Sequence, residues 1–286
     1  MTNGKSIKEI LQKGINLLKN SGIENANLDA RAFLRHILGK ESIYLDIHKE
    51  DILDDIIIDL YMNYIKRRCN NEPFAYIVNT KEFMSLDFYV DKNVLIPRPD
   101  TEILVEYIIN YCKNIKHNIN IIDLCTGSGA IAVSLASYIP NCTVTAIDIS
   151  ESALEIAQKN AHTHNVNERI LFKKYDVLSD ISKLGKFDII VSNPPYISKN
   201  DISSLDTTVK DFEPILALDG GYDGLLFYRN IIKYAPKTLK SGGIIACEIG
   251  YNQAESVTEL LKSEFQGINV LKDYSGNDRV ATANLR

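Results

Sequence analysis

The chain has 286 residues, 45% of them hydrophobic and 24% charged, with a formal net charge of -5. That length points to one large domain plus a smaller one, and the apolar content is globular and argues against general disorder. The acidic balance weighs against a broad nonspecific nucleic-acid footprint, which needs a basic surface to displace counterions from phosphates.

The N-terminal stretch SIKEILQKGINLL carries charges inside an amphipathic pattern, unlike the apolar core of a signal peptide. Ile7, Ile10, Leu11, Ile15 and Leu18 fall on one face at helical spacing, with Gly22 placed to end the element. Ala30, Phe33, Leu34, Ile37 and Leu38 repeat the period before Gly39, and Ile57, Leu60, Tyr61, Tyr64 and Ile65 repeat it again. These stripes read as core packing in a small helical domain. The acidic run Asp51, Asp54, Asp55 and Asp59 reads as a solvated face, with contact to a basic partner as the alternative.

Near Phe83 the period changes to two. Leu86, Phe88 and Val90 alternate with polar neighbours before the turn-like Asp91-Lys92-Asn93, which predicts a hairpin joining two domains. From about residue 118 strand and helix signals alternate through NINIID, a helix after Gly129, TVTAID, a helix from Glu151, ILFKKYD and FDIIVS. GGIIACEIG, a helix over 253–261, INVLKDY and RVATANL continue the sheet. Such alternation argues for an open parallel sheet covered on both faces, with ligands at the carboxyl ends of its strands. No stretch reaches the length of a membrane span. The five cysteines, Cys69, Cys112, Cys125, Cys142 and Cys247, stand singly, without metal-type or disulfide-framework spacing. A reduced, cytoplasmic protein is expected.

After the first strand of the alternation comes Asp123-Leu124-Cys125-Thr126-Gly127-Ser128-Gly129, a turn whose glycines let the backbone approach a ligand. The second strand ends in Asp148, 19 residues beyond Gly129, where a carboxylate can accept from both hydroxyls of a ribose or, alternatively, start the next helix. A dinucleotide site usually needs the fuller G-x-G-x-x-G to meet a pyrophosphate. S-adenosylmethionine has no phosphate, and the shorter turn suits it.

Directly after FDIIVS stands Asn193-Pro194-Pro195-Tyr196, at the carboxyl edge where catalysis is expected. An amide nitrogen is a poor nucleophile, because its lone pair is delocalised in the resonance that gives a peptide bond its barrier of about 18–20 kcal/mol. The Asn193 side-chain carbonyl and the Pro194 backbone carbonyl are placed to accept two amide hydrogens and turn the pair toward a methyl donor. The Pro194-Pro195 pair supplies rigidity, and Tyr196 a surface for a planar group. Acceptors of this kind stabilise developing positive charge by roughly 3 kcal/mol each. The bland alternative is a Pro-Pro turn closing a strand.

The motifs EPFAYIVNTKEFMSLDF, VLIPRPDTEILVE, DLCTGSGAIAVSLA, VSNPPYI and EPILALDGGYDGL together resemble the HemK/PrmC family of release-factor glutamine methyltransferases over nearly the whole chain. NPPY alone is shared with adenine-N6 methyltransferases of nucleic acid, the alternative reading; IPRPDTE joined to a helical N-terminal domain is similar to the glutamine enzymes. The resemblance implies an α/β fold, a class I (Rossmann-like) methyltransferase sheet with a helical substrate-recognition domain over 1–80, a hairpin linker over 81–97 and the S-adenosylmethionine-dependent domain over 98–286. It implies that Cys125, Thr126, Gly127, Ser128 and Gly129 surround S-adenosylmethionine, that Asp148 holds its ribose, and that Asp176 and Val177 lie against adenine. Asn193 touches both ligands. Asn193, Pro194, Pro195 and Tyr196 form the slot for the glutamine of a Gly-Gly-Gln loop in a class 1 peptide chain release factor. Asn193, Pro194 and Tyr196 carry the catalysis, and Arg98 and Glu102 line the cofactor side or, alternatively, cap the following helix TEILVEYII. No metal, no membrane and no direct nucleic-acid partner are expected, and the protein is expected to be monomeric. The chain departs from the family pattern at two positions. Cys125 replaces a frequent glycine, which suggests negative φ there, and Asn79 replaces another, where asparagine tolerates a left-handed backbone.

A nicotinamide oxidoreductase would have no use for NPPY, and a noncatalytic binding module is hard to reconcile with NPPY and Asp148 both intact.

Overall fold

The computed structural model describes residues 4–286. Its contacts divide the chain into two compact units, one formed by the chain up to Asn79 with Thr207–Phe212, the other by Thr80–Asp206 with Glu213–Arg286.

The first unit carries α1 (Ile7–Asn20), α2 (Ala26–Leu38), α3 (Ser42–Ile47), α4 (Asp55–Cys69) and α5 (Phe74–Val78). Most of the stripes read from the sequence turn inward, since Ile7, Ile10, Leu18, Phe33, Leu34, Tyr61 and Ile65 share one buried cluster, as a 3.6-residue period requires; Leu60, read in the third stripe, is instead exposed. A capping box starts α1: the Glu9 N–H donates to Ser6 Oγ while the Ser6 N–H donates to Glu9 Oε2. Helices α3 and α5 are too short to show a period. The latter ends at Asn79, which has φ 54°, the left-handed geometry expected there. Asp51, Asp54, Asp55 and Asp59 are all exposed.

The second unit opens with the hairpin β1 (Thr80–Phe83) and β2 (Leu86–Tyr89), paired antiparallel with Phe83 opposite Leu86. Its two turn residues, Met84 and Ser85, have φ of 51° and 56°, a type I′ geometry that normally selects Asn-Gly. Side chains hold it instead. The Met84 N–H donates to Glu102 Oε1 at 2.7 Å, and Tyr138 Oη donates to the Met84 carbonyl at 2.5 Å.

There follow α6 (Glu102–Cys112), β3 (Ile119–Leu124), α7 (Ala130–Tyr138), β4 (Cys142–Asp148), α8 (Glu151–Thr163), β5 (Ile170–Lys174) and β6 (Phe187–Ser192). The short α9 (Thr207–Lys210) groups with the first unit. The second unit resumes with α10 (Leu226–Thr238), β7 (Leu239–Glu248), α11 (Ala254–Leu261), β8 (Phe265–Lys272) and β9 (Asp278–Leu285). The seven strands lie in the order β5-β4-β3-β6-β7-β9-β8. Pairing is parallel from β5 to β7, whereas β9 runs antiparallel to β7 and β8 antiparallel to β9. The sheet is therefore mixed.

Alternation along the strands sorts the core into two layers. Ile121, Val144, Ile189 and Val191 face a cluster with Leu104, Val105 and Leu135 on one side. Ile122, Leu124, Ile147 and Ile190 face Tyr228, Ile231 and Val257 on the other. Because β4 and β6 flank β3 on opposite sides, the strand order reverses at β3 and a crevice opens at the carboxyl ends there.

Candidate active site

The crevice holds a cavity with about 1130 Å³ of empty space, its open mouth included. Cys125, Thr126, Gly127 and Ser128 reach it from the turn after β3, Asp148 from the end of β4, Asp176 and Val177 from beyond β5, and Asn193 and Pro195 from beyond β6. Arg98 and Thr101 line it from the segment before α6. Of the residues expected from the sequence, these are the ones the fold brings together.

The turn after β3 is held by the Thr126 N–H donating to the Ile147 carbonyl at 2.9 Å and the Gly129 N–H donating to the Thr126 carbonyl at 2.8 Å. Its bend places Cys125 at φ 63°, opposite to the negative φ expected for it. The cost of that left-handed residue, about 1–2 kcal/mol, is offset by the bonds just given. Burial pushes the Cys125 thiol well up, so it stays protonated and inert as a nucleophile. Gly129, expected around the ligand, lies outside the cavity wall. A Cβ there would sit 2.9 Å from Ala157 Cβ, so this glycine serves the approach of α7 to α8.

The two oxygens of Asp148 are tied separately: the Gly127 N–H donates to Oδ2 and the Ser150 N–H to Oδ1, both at 2.9 Å. Burial raises its pKa against these bonds. Ser150 Oγ, which accepts from the Ala153 N–H, caps α8, leaving Asp148 for the cavity. Asp123 lies one layer behind, its carboxyl pushed up to about 7 by burial and taking the Thr126 hydroxyl hydrogen at 2.6 Å.

Beyond β6, Pro194 is buried and Tyr196 half-buried, and neither lines the cavity. The Tyr196 hydroxyl points back to donate to Glu248 Oε1 at 3.2 Å. Asn193 Nδ2 donates to Thr101 Oγ1 at 3.2 Å, and Thr101 Oγ1 donates to Glu248 Oε2 at 2.5 Å. Arg98 pairs with the buried Glu213 at 2.5 Å, and Glu213 also accepts from the Ile96 N–H, which fastens the segment before α6 to the strip bearing Pro214, Leu216 and Ala217. Glu102 is not on the cavity, contrary to expectation; its carboxylate is committed to the hairpin turn.

The loop DGGYDG closes over the Asn193–Tyr196 segment. The Ile197 N–H donates to the Leu218 carbonyl and the Gly220 N–H to the Ile197 carbonyl, while Gln253 Nε2 donates to the Tyr196 carbonyl at 3.0 Å. A Cβ on Gly220 would lie 2.7 Å from Tyr196 Cα and 2.8 Å from its carbonyl carbon. Gly220→Ala is therefore expected to displace the segment and slow catalysis on the order of 10- to 100-fold, with affinity for the methyl donor unchanged; steady-state kinetics beside calorimetry check it.

Sequence reasoning passes over Asn160. Its Nδ2 donates to the carbonyls of Tyr89 at 3.0 Å and Ser128 at 2.9 Å, and its Oδ1 accepts from the Tyr89 N–H at 2.7 Å. One buried side chain thus joins the hairpin to the glycine-rich turn. Asn160→Ala strands these backbone groups and is expected to cost about 3 kcal/mol, read as a lower midpoint in urea unfolding. Glu248, Thr101 and Glu213 are passed over as well; an acid closing the apolar strand GGIIACE is the one available signal.

Among the described residues no cluster of three His, Cys, Asp or Glu is arranged to hold a metal ion, and no helix is long and apolar enough to cross a membrane.

The glycine-rich turn, the acid closing β4 and the NPPY segment at the strand reversal define a methyltransferase. The family described as Methyltransferase small domain matches residues 99–277, and the PrmC N-terminal domain matches residues 9–78. The chain belongs to the release factor glutamine methyltransferase family. It is 42% identical to the release factor glutamine methyltransferase of Clostridium acetobutylicum over 97% of this chain and 98% of that one, and 38% identical to that of Clostridium botulinum over the same shares. A methyltransferase structure from Pyrococcus furiosus, 21% identical, covers 78% of this chain and 98% of its own with a TM-score of 0.51, which speaks for the fold.

Proposed function

We infer that this chain transfers a methyl group from S-adenosylmethionine to the side-chain amide nitrogen, N5, of the glutamine in the GGQ motif of class 1 peptide chain release factors, an activity that supports translation termination. The observation that carries the reading is the position of Asn193 at the strand reversal, on the wall of a cavity that Asp148 also lines, in a chain similar along its whole length to enzymes of that name.

The cavity suits S-adenosylmethionine by its charge. Among the described residues its charged lining groups are Asp148, Asp176 and Arg98, and Arg98 is already paired with Glu213. That surplus of carboxylate favours a cationic ligand and disfavours a pyrophosphate. A Cβ on Gly127 would meet nothing within 4 Å, so the backbone lies open to a ligand. Asp148 would hold the ribose hydroxyls, with Asp176 and Val177 beside the adenine and Cys125, Thr126 and Ser128 around the remainder.

S-adenosylmethionine, when bound, supplies a sulfonium methyl whose S–C bond breaks with its electron pair left on sulfur as the new N–C bond forms and one amide proton departs to solvent. The protein's part is orientation. Asn193 Oδ1 and the Pro194 carbonyl accept the two amide hydrogens, which draws the nitrogen lone pair out of resonance and stabilises positive charge as it develops. The helical unit receives the release factor, and the reaction takes place in the cytoplasm on the monomeric enzyme.

Tandem mass spectrometry of a purified release factor incubated with the protein and S-adenosylmethionine tests the reading. One added methyl on the glutamine of the Gly-Gly-Gln peptide is expected; an unmodified peptide beside methylated adenine in a parallel DNA reaction would overturn it.

A further inference from the structure

Behind Asn193 runs a chain of buried polar groups that the acceptor chemistry does not itself require. The Thr101 hydroxyl has a single hydrogen, and Glu248 takes it across 2.5 Å. Thr101 Oγ1 is left able only to accept, so the Asn193 atom 3.2 Å away must be the donating Nδ2. The opposite end of the same amide, Oδ1, is thereby turned away from Thr101. Glu248 is itself fixed on its other oxygen by the Tyr196 hydroxyl and through its backbone carbonyl by the Tyr228 hydroxyl at 2.7 Å.

We propose that Glu248, acting through Thr101, is a positioning residue that sets the direction of the Asn193 amide and so presents its oxygen to the substrate glutamine. The inference rests on the glutamine-methylating reading above. It accounts for the buried carboxylate, which can only accept and so imposes one polarity on the whole chain, whereas a neutral amide or acid at the same place permits both. Without that bias the Asn193 amide populates a flipped state that offers N–H groups to the N–H groups of the substrate, and the acceptor is lost for that fraction of time.

The polarity also responds to pH. The groups facing Glu248 are Thr101, Tyr196, Tyr228, Arg279 and Asp100. Arg279 is shared with Asp273 at 3.0 Å and Asp100 at 3.3 Å. Burial, opposed by Thr101, Arg279 and Tyr196, pushes the Glu248 carboxyl up to about 7. Below that pH the carboxyl gains a hydrogen to donate, Thr101 is free to donate toward Asn193, and the amide turns. Turnover should therefore rise with pH through the neutral range, the sign expected when the ionised form is the active one.

Three variants test this against a purified class 1 release factor, with the wild type measured in parallel. Thr101→Val keeps the shape and removes the hydroxyl. It is expected to lower kcat on the order of 10- to 100-fold with the calorimetric Kd for S-adenosylmethionine unchanged, and Thr101→Ser is expected to restore most of the rate. Glu248→Gln, a neutral isostere that keeps the packing, is expected to lower kcat most at pH 8 and to flatten the rise with pH. A readout independent of turnover comes from the ligand-free protein: the side-chain amide NMR signals of Asn193, assigned by their loss in Asn193→Ala, should titrate in the wild type and not in Glu248→Gln. Wild-type kcat in Thr101→Val, equal impairment in Thr101→Ser, or an unaltered pH profile and titration in Glu248→Gln each overturn the proposal. A loss of kcat matched by an equal loss of cofactor binding does the same, because it marks a structural role. Absence of transfer by the wild type instead overturns the glutamine-methylating reading, and this inference with it.

Discussion

Asn193→Ala is expected to reduce glutamine methylation by about 10² to 10³, the scale on which one preorganised hydrogen-bonding group acts in a transition state. Asn193 follows β6 on the wall of a cavity that residues from the ends of β3 and β4 also line. In the mechanism proposed above, its removal takes away the acceptor that localises the amide lone pair, and a water in its place is neither fixed nor aimed. Binding of S-adenosylmethionine should survive in large part, since Asp148, Asp176, Val177 and the turn after β3 are untouched. Single-turnover methylation of a release factor, beside calorimetry with the cofactor, separates the two quantities. Full turnover in the variant would remove Asn193 from the chemistry.

Asp148→Ala should show the reverse pattern. Two hydrogen bonds to a charged group contribute about 1.5–3 kcal/mol each, so loss of the ribose contacts is expected to weaken cofactor affinity on the order of 10²-fold or more. A further loss follows from the turn itself, because the Gly127 and Ser150 N–H groups surrender the carboxylate that fixes them. At saturating S-adenosylmethionine much of the kcat should return. An unchanged dissociation constant would remove the ribose assignment.

How much of the structure is legible in the sequence varies with the range of the interaction. FDIIVS declares itself as a short continuous apolar run, buried on both faces of the sheet, whereas TVTAID and the helical stripes of α1, α2 and α4 declare themselves by period. The place of Asp148 and Asn193 on the cavity wall is legible because one ends and the other directly follows a strand of an alternating series, at the carboxyl edge of the sheet. Asn160 is not, since it meets Tyr89 across 71 positions and looks in the sequence like any polar helix residue. Glu248 and Thr101 lie 147 positions apart and acquire meaning only as partners. The turn at Met84 and Ser85 escapes notice because its left-handed geometry is imposed by Glu102 and Tyr138 and carries no glycine signature. Cys125 misleads for a related reason: backbone bonds to neighbouring segments override the preference of the residue. The antiparallel return of β8 and β9 depends on a short connection after β8, whose Asp273 accepts from the Ser275 and Asn277 N–H groups.

Gly220, Gly224, Tyr196 and Gln253 form an interlocked set, in which hydrogen is the largest substituent the loop tolerates at Gly220 and a single amide clamps the Tyr196 carbonyl together with that of Gly224. Anyone redesigning this protein for a different acceptor would find that these positions move together or not at all. Freedom lies instead at Ile215 and Leu216, whose side chains are exposed. Leu216 borders the cavity directly. A library varied at those two residues would alter what enters the slot while leaving untouched the frame that aims Asn193.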